Sequence, residues 1–296
     1  MTLAQADRAT VTQHHTIANT PPARSARTLQ ARRLLGRGGL RLIVPVLLLV
    51  IWYALSQSPT SGLFVAAPAD AFSRVFSDFF STDPSKLFLG DAFYDDLIPS
   101  LWRAMAGLGL AIVIGVGLGV LLGMSRVMTA LFQPLIHLGR SLPSPALLGV
   151  FFFLFGTGDS PKIFLIAFSV VWPILLNTMD GVGSVGTARM QAAAVFKIGR
   201  FDTLTHIVLP GASPKIFAGI RTAMSLSLII MIISELQKSE NGLGYLLIQT
   251  QRNFDYTGFW AVLIVLAALG VVLNFIFKGI ERRVLAWHRG ATAQHD

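Results

Sequence analysis

Apolar residues along this 296-residue chain gather in long runs, without strand-like alternation. LIVPVLLLVIWYAL fills 42–55 and GLGLAIVIGVGLGVLLG fills 107–123. A helix needs about 20 apolar residues to cross a hydrocarbon layer about 30 Å thick. Dividing the long apolar region before residue 182 gives six spans, near 40–56, 98–123, 128–156, 161–181, 211–236 and 257–280. A β-barrel strand would alternate polar and apolar side chains, so the pattern predicts an all-α polytopic membrane protein. GRSLPSP (139–145) sets a glycine and two prolines inside the third span, and Trp172–Pro173 sits inside the fourth. Both predict kinks or breaks. The run at 42–55 reads as a span and not a signal core, because its charged lead-in is long and no convincing small-x-small cleavage site follows.

The polar intervals carry their own patterns. Residues 1–37 hold six arginines and one acid with no apolar periodicity, which predicts a disordered cytoplasmic tail. In 56–97, PADAFSRVFSDFF places Phe72, Val75, Phe76, Phe79 and Phe80 at helical spacing behind a Pro68–Ala69–Asp70 start. That predicts an amphipathic helix on the outer membrane face. The 237–256 loop holds GLGYL, expected to re-enter the surface. The chain thus reads as tails 1–37 and 291–296 around one transmembrane domain, 38–290, with a long polar connection at 182–210.

Composition agrees: 53% of residues are hydrophobic and 13% charged, where a soluble domain carries about 25% charged residues. The net charge of +9 would suggest nucleic acid on a soluble surface, but here it reports topology. With the N-terminus inside, Arg126, Arg189, Lys197, Arg200, Lys215, Lys278, Arg282, Arg283 and Arg289 join the tail arginines in the cytoplasm. Only Arg74, Lys86, Lys162, Lys238 and Arg252 fall outside, with most of the acids. The positive-inside rule then places both termini, and 182–210, in the cytoplasm. The chain has no cysteine, which excludes disulfides, thiolate metal sites and cysteine nucleophiles.

Within that connection, QAAAVFKIGRFDTLTHIVLP covers 191–210. Thr187 is placed to cap a helix through Gln191 and Ala192–Ala194 to about Phe196, and Gly199 to turn the chain. Asp202 then caps a second short helix with Leu204, Ile207 and Val208 on one side. Pro210 ends it, and Pro214 reinforces the boundary. Loops longer than about 12–15 residues without a role are uncommon.

This arrangement resembles the EAA loop of ATP-binding cassette (ABC) importer permeases: Glu-Ala-Ala, three residues, Gly, then a gap to Ile-x-Leu-Pro. Gln191-Ala192-Ala193 and Ile207-Val208-Leu209-Pro210 fall at the matching separation. RSLPSPALLGVFFFLFGTGDSPKIFLIAFSVVWPILLNTMDGV (140–182) and SENGLGYLLIQTQRNFD (239–255) are similar to the branch that imports nitrate, sulfonates, taurine and related small anions. Two positions depart: Gln191 replaces the acid, and Lys197 holds the usual glycine position, with Gly199 two places later. A turn shifted toward Gly199 is expected.

The resemblance implies a type I ABC importer permease fold (MetI-like) in a bacterial cytoplasmic membrane. It implies a small, sulfonate- or nitrate-like anionic solute, ABC ATPase subunits, an extracytoplasmic substrate-binding protein and a second permease copy. Gln191, Ala192, Ala193, Lys197, Gly199, Arg200, Asp202, Leu209 and Pro210 would form the ATPase-coupling loop. No cofactor is expected on this chain, ATP-Mg residing on the partner ATPase: GTGDSPK (156–162) is its nearest approach to GxxxxGK[ST] and fails that pattern.

Ionisable residues inside spans are costly and default to functional candidates. Arg140, Ser141 and Ser144 on the broken helix, with Asn177, could line an anion pathway. Arg140 could equally satisfy freed carbonyls or pair with an acid. Arg103 and Arg221 are expected to snorkel to their nearer faces, Asp180 to be interfacial, and His137 to be buried and hydrogen-bonded; no metal site is expected. The glycines of the second span are expected to serve close helix packing. Phe151–Phe153 is expected in the core or against lipid. Rival readings are a secondary transporter without an ATPase, a membrane enzyme, or a permease of the same kind for a neutral vitamin-like or aromatic solute.

Overall fold

The computed structural model describes residues 43–237 and 239–286, with Thr187 and Ala188 described in backbone only. The two expected tails, and the first residues of the span at 40–56, lie outside the described residues. The chain divides into two compact units, 1–54 and 55–296. The described part of the first belongs to an apolar helix, α1 (Ile43–Ser56), shorter than a bilayer crossing requires.

The second unit follows with α2 (Pro68–Phe79), α3 (Ile98–Gly123), α4 (Arg126–Ser141), α5 (Leu148–Phe155) and α6 (Ser160–Gly183). Then come α7 (Thr187–Val195), α8 (Arg200–Thr203), α9 (Leu209–Glu235), α10 (Leu243–Arg252) and α11 (Tyr256–Val284). Four helical rods, containing α3, α6, α9 and α11, are long and apolar enough to cross a membrane. α4 and α5 form a fifth apolar element bent by 82° at Leu142–Pro143, where the sequence sets its glycine and prolines. The bend is sharper than a kinked span: the pair is a broken span or a re-entrant loop.

α3 and α6 lie together because one face of α3 has almost no side chains. A Cβ on Gly107 would stand 2.6 Å from Ile166, on Gly115 2.9 Å from Ile174, and on Gly119 2.6 Å from Thr178. Small residues at four-residue spacing let two backbones approach and gain dispersion contact where lipid gives no hydrophobic drive. Gly109 and Gly117 face open space and take no part. On its other side α6 packs on α9, with Gly219 against Pro173 and Ile174. Leu108, Ala111, Val170, Ile174, Ala223 and Met224 form the buried centre of this three-helix layer.

α5 is held to α6 by aromatic rings: Phe155 stacks on Phe164 at 4.2 Å, and Phe151 meets Phe168, which meets Trp172 edge-on. Phe153 points away from the chain. α2 packs on α11, burying Ala71 and Phe79 and leaving Phe72, Phe76 and Phe80 exposed.

Prolines end fewer helices than expected. A single π turn, Leu204–Val208, joins α8 to α9, so one helical rod runs from Arg200 to Glu235 through Pro210 and Pro214. The wider turn accommodates the N–H that Pro210 lacks. For Pro214, the carbonyl left without its helical donor is that of Pro210, and Ser213 Oγ donates to it at 2.8 Å.

Candidate functional site

Two places at opposite ends of the helical bundle hold the polar and exposed features that packing alone does not require. The first is the elbow between α6 and α9. α7 starts at the N-cap Gly186, so Thr187 is its first helical residue and not its cap. It ends in a turn with two hydrogen bonds: Ile198 N–H to Ala193 O at 2.9 Å and Lys197 N–H to Ala194 O at 3.1 Å. This six-to-one, five-to-two pair is the glycine-type helix stop, whose residue past the cap is left-handed. Here that residue is Lys197, at φ 50°. The turn therefore stays at Lys197 and does not shift to Gly199, which has φ −57° and precedes α8. Asp202 lies within the first turn of α8 and caps nothing. The expected pair of short helices is one short helix and the end of a long one.

Of the three alanines only Ala193 is buried; Gln191, Ala192, Lys197, Gly199, Arg200 and Asp202 are exposed. Leu209 and Pro210 are half-buried at the start of α9, beside an apolar groove of about 380 Å³ between α7 and the π turn. The elbow's tip is apolar: Val195, Phe196 and Phe201 are 77%, 77% and 75% exposed. Sequence reasoning left these three out, although FK and RF pairs beside a turn are a visible signal. Lys215 ties the base of the elbow to Asp180 at 2.7 Å.

The second place is a buried charged cluster at the far end of α3, α6 and α9. Arg103 is 2% exposed and does not snorkel. Its Nε donates to Asp159 at 2.6 Å, and Nη1 donates to Glu235 at 2.7 Å and to Asn241 O at 3.1 Å. Nη2 donates to Asn241 Oδ1. Glu235, fully buried, also accepts from Ser100 Oγ and from Gly244 N–H at 3.0 Å. Leu243 N–H donates to Ser100 Oγ, and Gly242 N–H to Asp96 at 2.9 Å.

The amide of the N-cap Gly242 and the first two amides of α10 are thus capped by side chains, two of the three on carboxylates, where the helix dipole favours negative charge. Gly242 has φ 114°, and a Cβ there would stand 2.6 Å from Glu235 Cδ. GLGYL turns inward because it wraps this carboxylate. The cluster was legible as an arginine and an acid placed at the same-side ends of two antiparallel spans, a pairing that helix-by-helix reading passes over.

The pathway candidates do not converge. Arg140 is exposed, and among the described residues its guanidinium makes no hydrogen bond or ion pair, so neither structural role expected for it is found. Ser141 Oγ donates to Leu138 O, Asn177 Nδ2 donates to Pro173 O within α6, and Ser144 is half-buried in the turn before α5. Arg221 pairs with Glu281 of α11 instead of snorkelling. His137 is exposed, not buried. Among the described residues no group of three His, Asp or Glu is placed to hold a metal ion.

Comparison with known proteins places these features in a family. Residues 111–286 match the binding-protein-dependent transport system inner membrane component. The chain is 29% identical over 244 residues to the taurine transport system permease protein TauC of Escherichia coli, covering 82% of this chain and 87% of that protein. It is 30% identical over 189 residues to the bicarbonate transport system permease protein CmpB of Synechococcus elongatus, covering 64% and 68%. The MetNI methionine ABC transporter in its inward-facing conformation shares the fold, at TM-score 0.58, 19% identity, 64% of this chain and 94% of that one. The helical fold and these relatives agree, and the chain belongs to the inner membrane components of binding-protein-dependent transport systems, as an ABC importer permease of the nitrate, sulfonate and taurine branch.

Proposed function

We propose that this permease carries a small oxyanion-bearing solute across a bacterial cytoplasmic membrane, driven by a separate ATPase that grips the α7 elbow. The elbow end is cytoplasmic, with both termini on that side; the α4–α5 pair counts as one span, and the apolar run at 40–56, of which α1 is the described part, supplies the first of six. A substrate-binding protein delivers solute at the far end. A second copy of the chain completes the pathway, and ATP-Mg stays on the ATPase. Taurine and bicarbonate, named for two relatives, share an oxyanion group, which supports the solute class.

One observation carries the coupling reading. Three large apolar side chains stand exposed around a turn fixed by two hydrogen bonds, at the foot of a 36-residue helical rod. An apolar tip with basic neighbours Lys197 and Arg200 suits an amphipathic groove on a partner.

The test replaces Phe196 and Phe201 with serine. Both are exposed, so the fold keeps its contacts, whereas a charge at buried Ala193 would distort the elbow itself. The expected outcome is a permease that inserts normally, no longer co-purifies with its ATPase and takes up no solute. Full uptake in the double variant would refute the docking.

A further inference from the structure

We infer that the cavity beside the far-end cluster is an oxyanion subsite in which Lys162 is the receiving cation. This rests on the reading of that end as the solute's entrance. The cavity holds about 1010 Å³ and is lined by Trp102, Arg103, Asp159, Lys162, Ser239 and Glu240, among others.

Its two cations are equally buried, at 2% exposure, but differently engaged. Arg103 is committed: its guanidinium spans Asp159, Glu235 and Asn241. Lys162 is not. An ammonium has three donors, and the described residues supply one acceptor, Ser239 Oγ at 2.5 Å. No carboxylate among them lies within 4.0 Å of its Nζ. Of the three acids nearby, Asp159 is taken by Arg103 and Glu235 by Arg103, Ser100 and Gly244, while Glu240 lines the cavity without reaching Nζ. A buried charge without a partner is costly. Two free N–H donors on Lys162, with the Ser239 hydroxyl hydrogen left to donate, make a three-donor cradle for a sulfonate, carboxylate or bicarbonate group.

The geometry favours a small solute over a partner protein's acidic side chain. Lys162 is buried at the back of the cavity, and Glu240 stands exposed among the lining residues with no ion pair among those described. Glu240 repels any anion, but a single small one can reach Lys162 and be compensated there, whereas an acidic protein face sets several charges against Glu240 and cannot reach that depth.

The lack of cysteine allows a direct test. Thr157→Cys, at an exposed and uncharged position lining the cavity, becomes the single thiol of the full-length chain. The chain is held in phosphatidylcholine nanodiscs and alkylated with N-ethylmaleimide, position 157 being read by mass spectrometry. Methanesulfonate is expected to slow alkylation at least threefold, and neutral dimethyl sulfone at the same concentration to leave it unchanged. Lys162→Met should abolish the protection and Lys162→Arg should retain it.

Equal rates with methanesulfonate and the sulfone, or protection that persists in Lys162→Met, would overturn the subsite. If Lys162→Met does not assemble, the contrast between anion and sulfone in the parent and in Lys162→Arg decides alone. The assay uses neither ATP nor uptake. Loss of coupling in the Phe196 and Phe201 variants and loss of protection here therefore strike separate claims.

Discussion

Lys197→Gly tests whether the elbow's stop is a glycine-type turn carrying the wrong residue. Lys197 holds φ 50°, in the region where a side chain's Cβ crowds the backbone and costs about 1–2 kcal/mol. Glycine removes that strain but brings back about 0.5–1 kcal/mol through its greater freedom when the turn is open. The net gain is about 0.75 kcal/mol, or about threefold in the closing equilibrium of the last turn of α7. The reporter is the Ile198 amide, bonded to Ala193 O at 2.9 Å. Its hydrogen exchange, followed in nanodiscs under conditions where opening is in fast equilibrium, should slow about threefold in Lys197→Gly and quicken in Lys197→Val. Unchanged or faster exchange in the glycine variant would mean that the turn is not strained at Lys197, and the reading of the stop would fail.

Glu235→Gln removes one carboxylate from Arg103 while Asp159 keeps the other side, and should cost about 3 kcal/mol; an unchanged thermal unfolding temperature in detergent would contradict the buried pairing. Gly119→Leu should overpack α3 against Thr178 at a cost of about 1–3 kcal/mol, whereas Gly117→Leu, facing open space, should stay within about 0.5 kcal/mol. Comparable losses for the two variants would reject the packing register. Ser213→Ala should cost about 1 kcal/mol by stranding Pro210 O, and Pro214→Ala should restore stability in that background by supplying the missing N–H; exchange rates across 209–218 read both effects.

The long apolar runs predicted α3, α6, α9 and α11 to within a few residues, because a helix in lipid must satisfy its own backbone and announces itself by length. The breaks at Pro143 and Pro145 were legible for the same local reason. What local reading mistook was compensation. Pro214 looks like a stop until Ser213 is seen to supply its donor, and Pro210 until the π turn before it is known. Arg103 looks like a snorkelling residue until Glu235, 132 positions later, is placed beside it. At the elbow, the spacing located the helix–turn–helix stretch proposed to couple the chain to its ATPase. Its exposed tip, Val195, Phe196 and Phe201, was hidden because exposure depends on where α7 folds back. The glycine position could be read from the family pattern, and the turn remains there although a lysine occupies it.

The 36-residue rod from Arg200 to Glu235 is about 54 Å long, nearly twice the thickness of a hydrocarbon layer. It joins the exposed aromatic tip directly to the carboxylate that caps α10. No loop interrupts it, and Ser213 and the π turn keep its two prolines within the helix, so axial rotation at one terminus is passed toward the Arg103–Glu235 pair at the other. Under the proposed coupling, whatever turns the foot of this helix also loads the ion pair at its head.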